Sequence, residues 1–174
     1  RVVSNGKHAE VVCVPKNLCA KVPAGISDDE AAFTVLGAVA LQGIRLIRPT
    51  LGETIVVFGL GLIGLMAAQL LRANGCNVIG LDFDHQRLLM AEQFGVVTID
   101  LNSGVDCVPE VLRLTGGIGA DGVLLATHTT SDKPIHQAAQ ISRKRGRIVL
   151  TGVCGMKFSR ADFFEKELSF QVSS

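Results

Sequence analysis

Three glycines follow an apolar run of strand-forming residues, Ile55 to Phe58, with the spacing G-x-G-x-x-G at Gly59, Gly61 and Gly64. This spacing suits the pyrophosphate of a dinucleotide. The first glycine lets the chain turn sharply off the strand, the second lets the backbone approach the phosphates because it has no Cβ, and the third lets the next helix pack closely. That helix would direct unpaired N–H groups and the positive end of its dipole at the anion.

An acidic residue stands where the sugar of such a nucleotide would lie. A second strand-like run, Asn77 to Leu81, is followed by Asp82, which is 82 − 64 = 18 positions after the third glycine. Nucleotide-binding folds place Asp or Glu about 20 positions after the glycines, where it accepts hydrogen bonds from the adenosine ribose. A glycine turn with a chance acid is the alternative, but the order strand, turn, helix, strand and acid favours a nucleotide site.

The residues around Asp82 indicate which dinucleotide is bound. A carboxylate here accepts bonds from both ribose hydroxyls of NAD and repels the 2′-phosphate of NADP, and Asp84 adds a second negative charge. Arg87, one helical turn further on, is placed to reach the ribose or to offset the acids partly; otherwise it is a solvated helix residue. We predict NAD rather than NADP, and we expect Asp82→Ala to weaken NAD binding and relax the discrimination.

The composition excludes several classes of partner. The 174 residues are 48% hydrophobic with 19 glycines, which suits an α/β domain whose strands are buried on both faces. A net charge of +1 favours neither nucleic acid nor a membrane surface, and no uninterrupted apolar run reaches the roughly 18 residues of a membrane span. Five scattered cysteines without C-x-x-C predict buried thiols in a reducing, cytoplasmic compartment.

Alternating patterns predict a doubly wound Rossmann fold, a six-stranded parallel sheet with helices on both faces, in the strand order 3-2-1-4-5-6. Strands are predicted at 54–58, 77–82, 96–99, 121–126, 146–151 and 167–172. Helices are predicted at 62–74, 85–94, 106–115 and 132–143, with a short turn near 160–165.

The residues ahead of this alternation predict a different local structure. His8–Val14 is predicted as a strand that ends at Pro15, and 17–22 as a second short extended piece. Ser27 and Glu30 have the spacing of a capping box, and the helix that they open is expected to be interrupted near Gly37 before it continues to about position 48.

Strand ends that are distant in sequence should meet at the carboxyl edge of the sheet. Ala126 and Thr127 end the fourth predicted strand, and Thr151, Gly152 and Val153 end the fifth. Each threonine could offer a hydroxyl to a ligand there, and the glycine allows close approach of the backbone. An isolated threonine is otherwise a helix-cap or turn residue.

Four stretches of the chain resemble the medium-chain dehydrogenase/reductase superfamily, whose members include the zinc-type alcohol dehydrogenases. They are AAFTVLGAVALQGI (31–44), VVFGLGLIGL (56–65), VIGLDFD (78–84) and GADGVLLAT (119–127). The resemblance implies a nicotinamide-dependent oxidoreductase of which residues 26–174 are the NAD(P)-binding Rossmann domain. Residues 1–25 would then be the remnant of an N-terminal, GroES-like catalytic domain, which holds the small-molecule substrate. We therefore expect a fragment that is inactive alone.

The resemblance also implies roles for particular residues. The pyrophosphate would be lined by Gly59, Leu60, Gly61, Leu62, Ile63 and Gly64. The adenosine ribose would lie at Asp82, Phe83 and Arg87, and the nicotinamide side at Ala126, Thr127, Thr151, Gly152 and Val153. Family members often pair a sheet edge between subunits, so the last strand, Leu168 to Val172, predicts a homo-oligomer.

The sequence departs from the zinc-dependent members of that superfamily. Those members carry a cysteine ligand in the segment that aligns with 31–44, where this chain has Leu36, and Ala40 stands near a position that often carries a small hydroxyl residue. Leucine does not ligate zinc, and the four histidines are scattered, so we expect no zinc bound by this chain. Among zinc-less relatives, ALQGIRL (40–46) and EKELSFQVSS (165–174) resemble bacterial two-domain oxidoreductases.

Two other functions remain open at this stage. The first is a zinc-dependent alcohol or polyol dehydrogenase whose metal ligands all lie in a missing segment. The second is a non-catalytic domain that senses NAD without hydride transfer. No Ser-His or Tyr-Lys relay is visible, so the sequence assigns no catalytic residue.

Overall fold

The computed structural model describes residues 1–173. The strands are β1 (Val2–Ser4), β2 (Cys19–Lys21), β3 (Thr54–Phe58), β4 (Asn77–Asp82), β5 (Val97–Asp100), β6 (Ala120–Leu125), β7 (Ser142–Leu150) and β8 (Ser169–Val172). The α-helices are α1 (Asp28–Ala32), α2 (Thr34–Ile47), α3 (Leu62–Ala73), α4 (His85–Glu92), α5 (Cys107–Leu114), α6 (Lys133–Ile141) and α7 (Arg160–Phe164).

Six of the strands form one parallel sheet in the order β5-β4-β3-β6-β7-β8. Counted from β3, this is the predicted order 3-2-1-4-5-6, so the doubly wound fold is confirmed. The predicted bounds of β3 and β4 are confirmed to the residue, whereas β7 begins four positions earlier than expected. All six carboxyl ends point to the same edge of the sheet, where the loops after β3, β4, β6 and β7 come together.

The sheet is covered on both faces, which explains why its central strand β3 is apolar from Ile55 to Phe58. In β3, Val57 packs in one core with α2, α3 and α4, while Val56 and Phe58 pack in the other core with α5 and α6. A side chain facing either layer is buried, so an alternating polar pattern would place polar groups in a core. None of the helices among residues 1–173 combines the length and apolar character that a bilayer crossing requires.

The amino-terminal segment corrects one prediction. Residues 8–14 are irregular and almost all exposed, and Val11 is 89% accessible, so the predicted strand His8–Val14 is wrong. The antiparallel ribbon joins Val2–Ser4 to Cys19–Lys21 instead. A β-branched segment becomes a strand only when a neighbouring strand pairs with it, and none lies beside 8–14 in the described part of the chain.

The helices before the sheet correct a second prediction. The capping box is confirmed, because Ser27 Oγ accepts from the Glu30 N–H at 3.2 Å and Glu30 Oε2 accepts from the Ser27 N–H at 2.8 Å. The helix breaks at Phe33 rather than near Gly37, and α2 runs without interruption through Gly37 and Gly43. These glycines are packing positions: a Cβ on Gly43 would lie 2.6 Å from Thr151 Oγ1.

Candidate functional site

The glycine loop joins β3 to α3 at the carboxyl edge of the sheet. Gly59 has φ +87°, a conformation that L side chains rarely adopt, and its N–H donates to the Leu81 carbonyl at 2.8 Å. A Cβ on Gly64 would overlap the Gly59 carbonyl oxygen and lie 2.9 Å from its carbon. The first turn of α3 therefore packs directly on the turn that precedes it.

The space in front of Gly61 is open. A Cβ on this residue would meet nothing closer than Arg87 Nη1 at 3.8 Å. Gly61 is the N-cap of α3 without a side-chain cap, and within residues 1–173 no acceptor pairs with the N–H groups of Leu62 and Ile63. Unpaired N–H groups at the positive end of a helix, next to a glycine that leaves room, fit an anionic pyrophosphate.

Asp82, at the end of β4, binds the glycine loop directly. Its side chain is 8% accessible, and Oδ2 accepts the Leu60 N–H at 2.6 Å. Oδ1 accepts the Asp84 N–H at 2.9 Å, in the turn that leads to α4. The carboxylate that was predicted to hold the ribose therefore links the glycine loop to the turn that precedes α4.

Arg87 lies over this carboxylate and beside the loop. Its Nη1 is 3.7 Å from Asp82 Oδ2 and its Nε is 3.4 Å from Asp84 Oδ2. Asp84 is at the same time the N-cap of α4, because its Oδ1 accepts the Gln86 N–H at 2.9 Å. The Arg87 side chain is half exposed at this edge.

The ends of β6 and β7 close the other side of the crevice. A Cβ on Gly59 would lie 3.0 Å from the Ala126 carbonyl oxygen, and a Cβ on Gly152 would overlap that of Thr127. The Val153 N–H donates to the Thr127 carbonyl at 2.8 Å. The structure therefore brings these strand-end residues next to the glycine loop, as the topology predicted.

The side chains of the two threonines differ from expectation. Thr127 Oγ1 and Thr151 Oγ1 are both buried and have no hydrogen-bond partner within residues 1–173. The Thr151 hydroxyl faces Gly43 of α2 rather than the open crevice. As the side chains stand, both hydroxyl oxygens are enclosed at the strand ends.

Two predicted contact residues are exposed. Phe83 is 62% accessible and Val153 is 58% accessible, so both side chains stand at the rim of the crevice. Asn102, which sequence reasoning missed, donates from Nδ2 to the Phe83 carbonyl at 2.7 Å and ties the loop after β5 to the turn after β4. Its only sequence signal was its place two residues past a strand end.

The described residues contain no metal-binding cluster. Within residues 1–173, no group of three or more His, Cys, Asp or Glu side chains is placed to hold a metal ion. Burial raises the pKa of the Cys76, Cys107 and Cys154 thiols, which disfavours the thiolate that binds metals. All five cysteines are free thiols.

The six-stranded doubly wound sheet, with its glycine loop at the carboxyl edge, defines the class of this protein as a Rossmann-type α/β domain. Comparison with known proteins then identifies the family. The sequence model of the zinc-binding dehydrogenase family matches residues 63–174, so the chain belongs to this family, as the resemblance to medium-chain dehydrogenases predicted. The matched part is the cofactor-binding region of such enzymes.

Characterised relatives are alcohol and polyol dehydrogenases. The sorbitol dehydrogenase of Halalkalibacterium halodurans is 31% identical over 170 residues, which are 95% of this chain and 49% of that enzyme. The 2R,3R-butanediol dehydrogenase of Bacillus subtilis has a structure with a TM-score of 0.83 and 28% identity, and the alignment covers 92% of this chain and 46% of that one. The chain thus spans about half the length of these relatives.

A second solved structure among the relatives holds a dinucleotide. An alcohol dehydrogenase of E. coli CFT073 in complex with NADH has a TM-score of 0.81 and 26% identity, covering 92% of this chain and 48% of that one. Relatives with this fold therefore bind a nicotinamide dinucleotide.

Proposed function

We propose that this chain is the cofactor-binding part of a nicotinamide-dependent oxidoreductase that transfers hydride between NAD and an alcohol, polyol or sugar. The family match and the relatives' activities support the reaction class. The observation that carries the proposal is the glycine loop, which leaves open space at Gly61 directly beside the buried carboxylate of Asp82.

The residues of the site would share the work of holding the dinucleotide. The backbone from Gly59 to Gly64 would bind the pyrophosphate through the free N–H groups of α3. Asp82 and Arg87 would hold the adenosine ribose, with Phe83 beside it. The nicotinamide ring would lie along the ends of β6 and β7, against Ala126, Thr127, Thr151, Gly152 and Val153. The bound dinucleotide supplies the hydride or accepts it, and the chain orients it.

The charges at the ribose position support NAD over NADP. The 2′-phosphate of NADP would add negative charge beside the carboxylates of Asp82 and Asp84, and the Arg87 guanidinium already contacts both of them. A 2′-phosphate would have to compete with two carboxylates for this one cation. The relatives do not decide the matter, because a zinc-binding dehydrogenase of Sinorhizobium meliloti 1021, 26% identical with a TM-score of 0.81, was solved with NADP.

Isothermal titration of the chain with NAD and with NADP tests the cofactor proposal. We expect NAD to bind and NADP to bind at least about tenfold more weakly, which corresponds to about 1.4 kcal/mol. Equal affinities would overturn the assignment of NAD, and no binding of either would overturn the site.

The activity needs the full-length protein. With an alcohol, polyol and sugar-nucleotide panel, we expect a change of absorbance at the nicotinamide band for one of these substrate classes. A protein that binds NAD but oxidises and reduces none of them would support the alternative of an NAD-sensing domain.

We further propose that residues 1–25 belong to a neighbouring catalytic domain that binds the small-molecule substrate. Next to the short ribbon of β1 and β2, the Arg1 guanidinium pairs with Asp28 of α1 at 2.9 Å. We also propose that the protein forms a homo-oligomer by pairing through β8. The five free thiols support a cytoplasmic, reducing location.

The family match gives one specific reason for a second candidate, a zinc-dependent dehydrogenase whose metal ligands all lie outside this chain. Metal analysis of the full-length protein separates the two. Stoichiometric zinc that is needed for turnover would establish the second candidate. The absence of a zinc ligand at Leu36 would then not predict whether the full-length protein binds zinc.

A further inference from the structure

The Asp82 carboxylate has two backbone partners in addition to any sugar. Oδ2 accepts the Leu60 N–H of the glycine loop, and Oδ1 accepts the Asp84 N–H of the turn before α4. Both bonds join an ionised acceptor to a backbone N–H, and one is 2.6 Å long, which places them among the stronger hydrogen bonds in proteins. The side chain is 8% accessible, so water does not replace either partner easily.

We propose that Asp82 is the positioning residue of the phosphate loop. By holding the Leu60 N–H, its carboxylate fixes the backbone between Gly59 and Gly61 in the conformation that receives the pyrophosphate. This inference rests on the proposed function and deepens it, because it assigns to one residue both the ribose contact and the shape of the phosphate site. A carboxylate accepts about four hydrogen bonds, so two backbone N–H groups leave room for two ribose hydroxyls.

The inference changes what a substitution at this position should do. If Asp82 contacted only the ribose, its removal would relax the choice between NAD and NADP. If it also holds the loop, removal weakens the binding of both cofactors through the pyrophosphate that they share. Asp82 alone would then be a poor position for converting the cofactor preference.

Asp82→Asn is the informative variant because it keeps the size of the side chain. An amide has one oxygen and one NH₂ group, so it accepts from only one of the two N–H groups and turns a donor towards the other. Asp84→Asn is the matched control. It removes the same unit of negative charge from a carboxylate that also contacts Arg87, it keeps a good N-cap for α4, and it leaves the Leu60 contact unchanged.

Inorganic pyrophosphate is the probe, since it carries no ribose. Loss of a nearby negative charge strengthens the binding of an anion, so electrostatics alone predicts that both variants bind pyrophosphate as well as or better than the parent chain. If Asp82 also holds the loop in position, Asp82→Asn alone should bind pyrophosphate more weakly than the parent chain. We expect a drop of about tenfold for Asp82→Asn, comparable to the loss of one charge-assisted hydrogen bond, and no drop for Asp84→Asn.

Binding is read from the amide signals of Gly61 and Leu62 in ¹H–¹⁵N spectra of the 18.4 kDa chain. A fall in affinity confined to Asp82→Asn supports the proposal. Unchanged or raised affinity in a folded Asp82→Asn chain overturns it, as does an equal fall in both variants, which would reflect a change that the two variants share rather than loss of the Leu60 contact.

A measurement on the unaltered chain covers the case in which Asp82→Asn does not fold. The Leu60 amide should show a scalar coupling across the hydrogen bond to the Asp82 carboxyl carbon and slow exchange with solvent. Absence of the coupling together with fast exchange overturns the proposal. This measurement needs no ligand, so it separates a failure of the positioning role from a failure of the NAD-binding function.

Discussion

Gly64→Ala tests the packing of the phosphate loop most directly. A Cβ at this position would overlap the Gly59 carbonyl oxygen, and that carbonyl belongs to a backbone that the hydrogen bond from Gly59 to Leu81 holds in place. No flexible side chain is available to move aside. Overpacking of this kind costs about 1–3 kcal/mol, occasionally more. We expect the upper part of this range, since both contacting groups are backbone.

Gly61→Ala is the matched variant three positions earlier. Gly61 has φ −64° and ψ −171°, which alanine adopts without strain, and a Cβ would meet no atom within 3.8 Å. The reduced freedom of the unfolded chain contributes about 0.4–1 kcal/mol of stability. The poorer N-cap costs a similar amount, about 0.5 kcal/mol. The stability of this variant should therefore stay within about 1 kcal/mol of the parent, while the methyl group occupies the space of the phosphates.

Urea unfolding followed by circular dichroism and titration with NAD measure the two effects. Gly64→Ala should lower the free energy of unfolding by about 2–3 kcal/mol, or the melting temperature by about 4–12 °C in a chain of this length. Gly61→Ala should unfold near the parent but bind NAD at least about tenfold more weakly. A Gly64→Ala chain as stable as the parent would refute the packing argument. Unchanged NAD affinity in Gly61→Ala would refute the placement of the pyrophosphate.

Three further predictions concern the scaffold. Gly43→Ala should destabilise the chain by about 1–3 kcal/mol, since its Cβ would lie 2.6 Å from Thr151 Oγ1. In urea unfolding, adding Thr151→Ala should restore part of this loss. If the destabilisations of the two single variants simply add in the double variant, the contact is contradicted. Arg147→Met should lower the free energy of unfolding by about 1–3 kcal/mol, because it removes the guanidinium that lies 2.6 Å from the half-buried Glu53 carboxylate. A double-mutant cycle with Glu53→Gln measures the coupling energy of the pair, and a value of zero would contradict the prediction. Burial raises the pKa of the Cys107 thiol above its ordinary 9.0, so above that pH the folded chain keeps a proton that the unfolded chain loses. The free energy of unfolding should therefore fall as the pH rises above about 9. The urea midpoint of Cys107→Ala should depend less on pH in this range than that of the parent.

The elements nearest the glycine loop were predictable from local pattern. The bounds of β3 and β4 follow from apolar runs that end at a glycine and at an acid, and the helix cap at Ser27 follows from its spacing to Glu30. These signals are short in range, so they do not depend on the rest of the fold. The order of the sheet followed from the right-handed crossover rule rather than from any single residue.

The errors arose where a distant partner decides the local structure. The residues of 8–14 have strand propensity but no neighbouring strand within the described residues, so they stay irregular. Gly37 does not break α2, because close contact with α3, where a Cβ would lie 3.2 Å from Met66 Cε, favours a glycine inside the helix. The strand β7 begins early at Ser142, with Arg145 at φ +60° where its N–H donates to the Lys166 carbonyl.

The sequence by itself determined the family, because similarity to relatives extends along most of the chain. It also predicted the kind of ligand, because glycine spacing and an acid at a strand end are local requirements of a dinucleotide. Only the tertiary structure decided what each side chain of the site contacts. The Leu60 N–H and the Asp82 carboxylate are 22 positions apart, and they meet because parallel pairing of β3 with β4 sets both at one height on the sheet edge. The same packing covers the hydroxyls of Thr127 and Thr151, since orientation of a strand-end side chain depends on which neighbours reach it.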